Sequence, residues 1–188
     1  MSNSSNAGAV LRVGIFFDGT ANNQFNSLQG QQRQEQGLLI DPGSSYGSAV
    51  TNIAKLHQCY PAQSGFDPAG HAVTSLYISG IGTTTGAADT QFPGQTYGRG
   101  HTGVLGKAEL ARTRLTECLQ HFVAQLPPNT LSRLQLDLFG FSRGAAAARH
   151  FVNQINASAF TAQFALAADF ACSIHFIGLF DTVAAMGG

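Results

Sequence analysis

Leu136-Asp-Leu-Phe-Gly140-Phe-Ser142-Arg-Gly144-Ala-Ala-Ala-Ala-Arg149 decides how this chain is read. A mostly apolar run, predicted as a strand over Leu131–Phe139, leads straight into Gly140-Phe-Ser142-Arg-Gly144. An alanine-rich stretch follows and predicts a helix over Arg143–Ile155. Gly-x-Ser-x-Gly set between a strand and a helix is the context in which a serine is lifted above a sheet on a tight, strained turn. Gly140 and Gly144 let strand and helix approach closely, and Ala145 to Ala148 allow the same. Ser142 is then the candidate nucleophile. The helix N-terminus places partial positive charge beneath it, and the backbone N–H of Arg143 is one expected oxyanion donor.

Working outward, Val10–Phe17 (VLRVGIFF) and Val73–Ser79 (VTSLYIS) read as buried strands upstream, and Cys172–Phe180 (CSIHFIGLF) as a fourth strand downstream. Helices are predicted over about 48–59, where Val50, Ile53, Ala54 and Leu56 recur at helical spacing, and over 103–126. The buried stripe of the longer one is expected at Leu105, Ala108, Leu115, Leu119, Phe122 and Leu126. Pro61 and Pro127-Pro128 close the two helices. Residues 21–47, rich in Asn, Gln, Gly and Ser, read as a long polar loop, and residues 1–9 as a disordered tail. Strands alternating with helices imply parallel pairing through crossovers, hence an α/β fold with a mostly parallel sheet and flanking helices over 10–188. Ligands in such sheets bind at the carboxyl ends of the strands. The loops expected at that edge are 18–24, 80–102, 140–143 and 181–188.

Two of those loops carry further chemistry. Asp181 follows the strand after the elbow. In α/β-hydrolases the order is Ser, then Asp or Glu, then His, so Asp181 is the candidate acid; its other reading is a strand-ending Asp that caps a turn. Phe17-Asp18-Gly19-Thr20 ends the first strand. The second oxyanion N–H comes from an early loop of this kind, with Gly19 and Thr20 as candidates and Asp18 as a brace. The plain alternative is an ordinary Asp-Gly turn. No histidine follows Asp181 in this sequence; His57, His71, His101, His121, His150 and His175 all precede it. His101 alone is expected in a loop at the catalytic edge and is the outside candidate for the base. The main expectation is a chain truncated at its C-terminal side, with the histidine beyond Gly188 and the 188 residues nearly inactive alone.

Composition sets the limits. Hydrophobic residues make up 44% of the 188 and charged residues 11%, a low charge content for a globular chain. That suits a sheet buried on both faces, or a piece of a larger protein. Ten basic and ten acidic residues cancel, and no basic run stands out, which argues against nucleic-acid binding. Cys59, Cys118 and Cys172 lack paired spacing and read as buried free thiols of a reducing compartment. The first ten residues have neither a basic n-region nor an apolar h-region, so no conventional signal peptide is expected. Three patterns are decoys. Phe-Asp-Gly-Thr has Phe16 where a phosphatase of the haloacid-dehalogenase type needs a nucleophilic Asp. Gly98-Arg-Gly100-His-Thr-Gly103 does not directly follow a strand, and Gly106-Lys107 lacks the Walker A glycine. No metal-ligand spacing and no cofactor signature is present.

Four segments taken together, VGIFFDGTANN, YISGIGT, GFSRGAAAAR and FIGLFDTVA, resemble the DUF2235 family, which includes the Tle1-type phospholipase effectors of bacterial type VI secretion. The resemblance runs from Val13 through most of the chain. It implies an α/β-hydrolase fold and a Ser-Asp-His triad, in which Ser142 matches the nucleophile, Asp181 the acid, and the histidine lies beyond Gly188. It implies phospholipase A activity on glycerophospholipids at a membrane surface. It also implies a producer-cell cytoplasmic origin, contact with the secretion apparatus, delivery to the periplasm of a rival cell, and a cognate immunity protein. Another carboxylic ester or thioester as substrate, or a hydrolase-like module without catalysis, are the alternatives.

Overall fold

The computed structural model describes residues 8–89, 101–155 and 160–183. The elements are β1 (Ala9–Phe17), α1 (Gln24–Glu35), α2 (Asn52–Cys59), β2 (His71–Ile78), α3 (Val104–Val123), β3 (Leu131–Phe141), α4 (Arg143–Ile155) and β4 (Ala171–Phe180). The four strands form one sheet in the order β2-β1-β3-β4, and every pairing is parallel. The fold is thus α/β and α/β-hydrolase-like. Because every pairing is parallel, the segments after β1, β2, β3 and β4 leave the sheet at one edge, the carboxyl ends of the strands; residues 90–100 and 184–188 of the expected loops lie outside the described residues.

Alternation along β1 sorts the core. Leu11, Val13, Ile15 and Phe17 face the layer of α3 and α4, with Leu134, Leu136 and Leu138 beside them. Phe16 faces the opposite way, onto Ile53 and Ala54 of α2 and onto Tyr77. Phe16 and Phe139 stack on that second face with centroids 4.5 Å apart. Over Val13–Phe17 of β1 and Leu136–Leu138 of β3 the central strands are buried on both sides, as expected at the centre of a parallel sheet.

The edge strand departs from that expectation. Phe176 on one face and Ile177 on the other are 47% and 48% exposed. The sheet is buried on both faces at its centre and half open along β4. The expected tail also ends early, because Ala9 already pairs with Leu131 in the sheet.

The polar stretch 21–47 contains a helix where a continuous loop was expected. Asn23 caps α1, its side chain accepting hydrogen bonds from the N–H groups of Phe25 and Asn26. The helix has no apolar stripe: it buries Gln24, Asn26, Ser27 and Gly30. The Asn26 amide reaches Ser45 Oγ at 2.9 Å, and Ser27 Oγ donates to the Ser45 carbonyl. Hydrogen bonding rather than apolar burial seats this helix, so hydrophobic spacing gives no sign of it.

Two apolar positions are corrected. Leu105 is 54% exposed, because the buried stripe of α3 runs through Val104, Ala108, Ala111, Leu115, Leu119 and Phe122. Leu105 is about 100° round the helix from Val104. Leu56 is likewise exposed beside the buried Ile53 and Ala54. The three cysteines are free, but Cys59 and Cys172 are exposed and only Cys118 is half-buried. Burial pushes the Cys118 thiol up to about 11, so it stays protonated at neutral pH.

Candidate active site

Ser142 is the single residue between the end of β3 and the start of α4, and its φ is +55°. A non-glycine residue in the left-handed region is strained, and such strain concentrates at functional positions. The flanking glycines hold the turn tight. A Cβ at Gly144 would lie 2.3 Å from the Asp18 carbonyl oxygen, and one at Gly140 would lie 2.7 Å from the Ala145 Cα. Neither position admits a larger residue without moving backbone. The Ser142 N–H donates to the Phe180 carbonyl at 3.0 Å, and the Ser142 carbonyl accepts from Ala145 and Val183. The backbone is pinned on both sides, while the hydroxyl has no hydrogen-bond partner among the described residues.

The turn after β1 lies against the elbow and is fixed differently. The Asp18 carboxylate is buried and accepts from Gly19 N–H at 2.8 Å, Thr51 Oγ1 at 2.8 Å and Tyr77 OH at 2.5 Å. Burial raises its pKa above the ordinary carboxylate range, against the opposing pull of Tyr77, Thr51 and Gly19. Thr51 also caps α2 by accepting from the Ala54 N–H, and Tyr77 OH accepts from Gln24 N–H. One carboxylate thus ties β1, β2, α1 and α2 together. The Gly19 amide is occupied by Asp18, whereas the Thr20 and Arg143 amides have no acceptor among the described residues. Arg143 Nε donates to Thr20 Oγ1 at 2.8 Å, which clamps the two turns to each other. Burial lowers the Arg143 pKa, and no Asp or Glu among the described residues pairs with it.

The loop after β2 completes this side. Gly80 N–H donates to the Asn22 carbonyl at 2.7 Å, and Ala21 N–H to the Ile81 carbonyl. Lys107 of α3 is buried below, with Nζ bonded to Ser79 Oγ at 2.8 Å and the Thr83 carbonyl at 2.7 Å. Desolvation, with Arg114 adding repulsion and Asp89 opposing it, lowers its pKa to about 8. Thr51, Tyr77 and Lys107 are absent from the residues singled out by sequence. A Thr immediately before an apolar helix start was a readable signal for Thr51; Tyr77 and Lys107 act through tertiary contacts that leave no local pattern.

Asp181 follows β4 with φ of +45°, and its neighbours touch the elbow: Phe180 through its carbonyl and Val183 through its N–H. Its carboxylate is exposed and makes no hydrogen bond among the described residues. No histidine side chain bonds to Ser142 or Asp181 there. His101 is exposed in the turn before α3, and the adjacent Thr102 carbonyl accepts from Gly82 on the β2 side of the sheet. His57 packs against Phe16 and Tyr77, and burial lowers its pKa. His175 sits 3.1 Å from Asp137, which Arg12 and Tyr60 also engage, at 2.7 and 2.6 Å. Among the described residues no three His, Cys, Asp or Glu side chains gather as a metal's ligands would. No helix there is long and apolar enough to cross a membrane. Gly98 and Gly100 lie outside the described residues.

No protein-family model matches the chain, and no curated protein does. Among solved structures, the chain is similar to the Tle1 effector in its complex with the VgrG spike of the type 6 secretion system. The two are 30% identical with a TM-score of 0.62, over 96% of this chain and 39% of that one. It is also similar to an uncharacterized protein from Pseudomonas aeruginosa, at 21% identity and a TM-score of 0.51, over 98% of this chain and 31% of that one. The second likeness concerns the fold alone. The chain spans well under half the length of either structure, and over that span it is similar to a type VI secretion effector.

Proposed function

We propose that this chain is the nucleophile-bearing part of a serine hydrolase that cleaves the carboxylic ester bonds of glycerophospholipids, in the manner of a phospholipase A, and that it acts as a type VI secretion effector. The observation that carries the reading is the strained Ser142 at φ +55° between β3 and α4, with no room for a side chain at Gly140 or Gly144. The likeness to Tle1 supports the effector role, and the VgrG spike bound to that protein supports a secretion-apparatus partner here.

Ser142 Oγ attacks the ester carbonyl carbon, and a histidine C-terminal to Asp181 takes its proton. The tetrahedral oxyanion is held by the Arg143 amide and the unengaged Thr20 amide. The same histidine returns the proton to the departing lysophospholipid oxygen. Water then hydrolyses the acyl-enzyme by the reverse roles, and Asp181 orients the histidine throughout. Thr20 is preferred to Gly19 because the Gly19 N–H already donates to Asp18. Delivery to the periplasm of a target cell and a cognate immunity protein belong to the same reading, as does membership of the DUF2235 family.

The test uses the full-length protein with vesicles of phosphatidylethanolamine and phosphatidylglycerol. Fatty acid release by the wild type, reduced to background by Ser142→Ala, is the expected result. Equal release by the two proteins would refute the assignment. Ester hydrolysis confined to water-soluble substrates would move the reading to a carboxylesterase. Full folding without any turnover would favour a non-catalytic module.

A further inference from the structure

An apolar groove of about 750 Å³ opens between α2 and the ends of β3 and β4. Ile53 and Leu56 of α2, with Val50 just before the helix, form one wall, and Phe141 and Phe180 the wall on the sheet. Its volume lies within the usual range for a small-molecule site. Two features join it to the nucleophile. Phe141 immediately precedes Ser142, and its ring packs so closely on the first turn that a Cβ at Gly19 would lie 2.5 Å from its Cδ1. Phe180 gives its carbonyl to the Ser142 N–H. The groove therefore starts beside the strained serine.

We infer that this groove binds the fatty acyl chain of the ester that Ser142 attacks; the inference rests on the hydrolase reading above. The chemistry of the walls selects the occupant. Thr51, the groove's hydroxyl, is spent on Asp18 and on capping α2. Among the described lining residues, the other polar side chains, the Asn52 amide and the Lys55 ammonium, sit on exposed residues, so no free buried side-chain donor or acceptor is left there to hold a headgroup. An alkyl chain asks for no hydrogen bond, and each buried methylene is worth about 0.8 kcal/mol. The exposure of Phe180 (49%) and of Leu56 marks apolar surface that such a chain would cover.

The experiment has two arms on the full-length protein. In the first, a fluorescent long-chain fatty acid is titrated into Ser142→Ala and into the same protein carrying Leu56→Asp. Leu56 is exposed, so the added charge leaves the core intact. Binding weakened roughly tenfold or more by Leu56→Asp supports the groove, and equal binding overturns it. In the second, p-nitrophenyl esters from butyrate to palmitate are hydrolysed by wild type and Leu56→Trp. The palmitate-to-butyrate ratio of kcat/KM should fall roughly tenfold or more. An unchanged ratio in an active enzyme overturns the groove. So does an unchanged ratio with a Tm lowered by Leu56→Trp, which would show the groove filled by polypeptide instead. Absence of all ester turnover with intact fatty acid binding would sink the hydrolase reading alone.

Discussion

Two turns at the carboxyl ends of adjacent strands, one after β1 and one after β3, press against each other yet are built in opposite ways. The first carries a buried acid whose two oxygens accept from Gly19, Thr51 and Tyr77. The second carries a serine in a strained conformation whose hydroxyl has no partner among the described residues. Where every polar atom is satisfied and several elements are tied, the residue holds the fold together. Where the backbone is strained and the side chain is left unbonded, the strain is maintained by the surroundings, here by the clamp of Gly144 on the Asp18 carbonyl. The locked turn supports the strained one, so acid and serine should respond oppositely to substitution.

The largest expected contrast is at Ser142 itself. Ser142→Ala should lower ester turnover by roughly 10⁴-fold or more, without loss of stability. Ser142→Gly should be equally inactive yet more stable, by about 1 kcal/mol in urea denaturation, because glycine accepts φ +55° freely. A stability loss in both variants would mean that the hydroxyl is structural.

At Asp18 the order reverses. Asp18→Ala orphans three donors and should cost about 4 kcal/mol in the same measurement. Asp18→Asn, which keeps an acceptor, should cost far less. The pH dependence has a defined sign. Burial raises the Asp18 pKa in the folded state, so the folded protein binds this proton at higher pH than the unfolded chain does. Acidification through that range therefore favours folding at this site, and Asp18→Asn should abolish that contribution.

Lys107, beneath the loop after β2, gives a second pH signature. Its pKa falls to about 8 in the folded protein, so its charge opposes folding below that pH and the penalty is relieved as pH rises from 8 towards its ordinary value. The relief is on the order of 3 kcal/mol. Wild type should gain on Lys107→Met over this range in unfolding experiments; parallel curves would refute the shift. A smaller cost than at Asp18 is expected at the junction of the two turns. Gly144→Ala pushes a methyl onto the Asp18 carbonyl and should cost about 2 kcal/mol, with a loss of activity larger than that stability change explains.

The sequence made the strained turn more legible than the locked one. Strand, Gly-x-Ser-x-Gly and alanine-rich helix lie in one continuous stretch, Leu131–Ile155, and local steric rules alone place Ser142 there. The parallel sheet follows from alternation of apolar strands and amphipathic helices. Asp18 was visible as a brace, but its partners Thr51 and Tyr77 are 33 and 59 residues away, beyond any local pattern. Helix α1 was hidden because it buries amides and hydroxyls rather than a hydrophobic stripe. Leu105 was misplaced because one residue of helical phase separates a buried position from an exposed one. The openness of β4 leaves no mark in the sequence, because an apolar strand reads alike whether or not both faces are covered.

The central claim is that Ser142 is a reactive nucleophile, and covalent labelling addresses it without assuming a substrate. Full-length protein treated with a fluorophosphonate and digested for mass spectrometry should carry one adduct, on the peptide containing Ser142, and Ser142→Ala should carry none. An adduct that persists in Ser142→Ala, or no adduct on the wild type, would contradict the account.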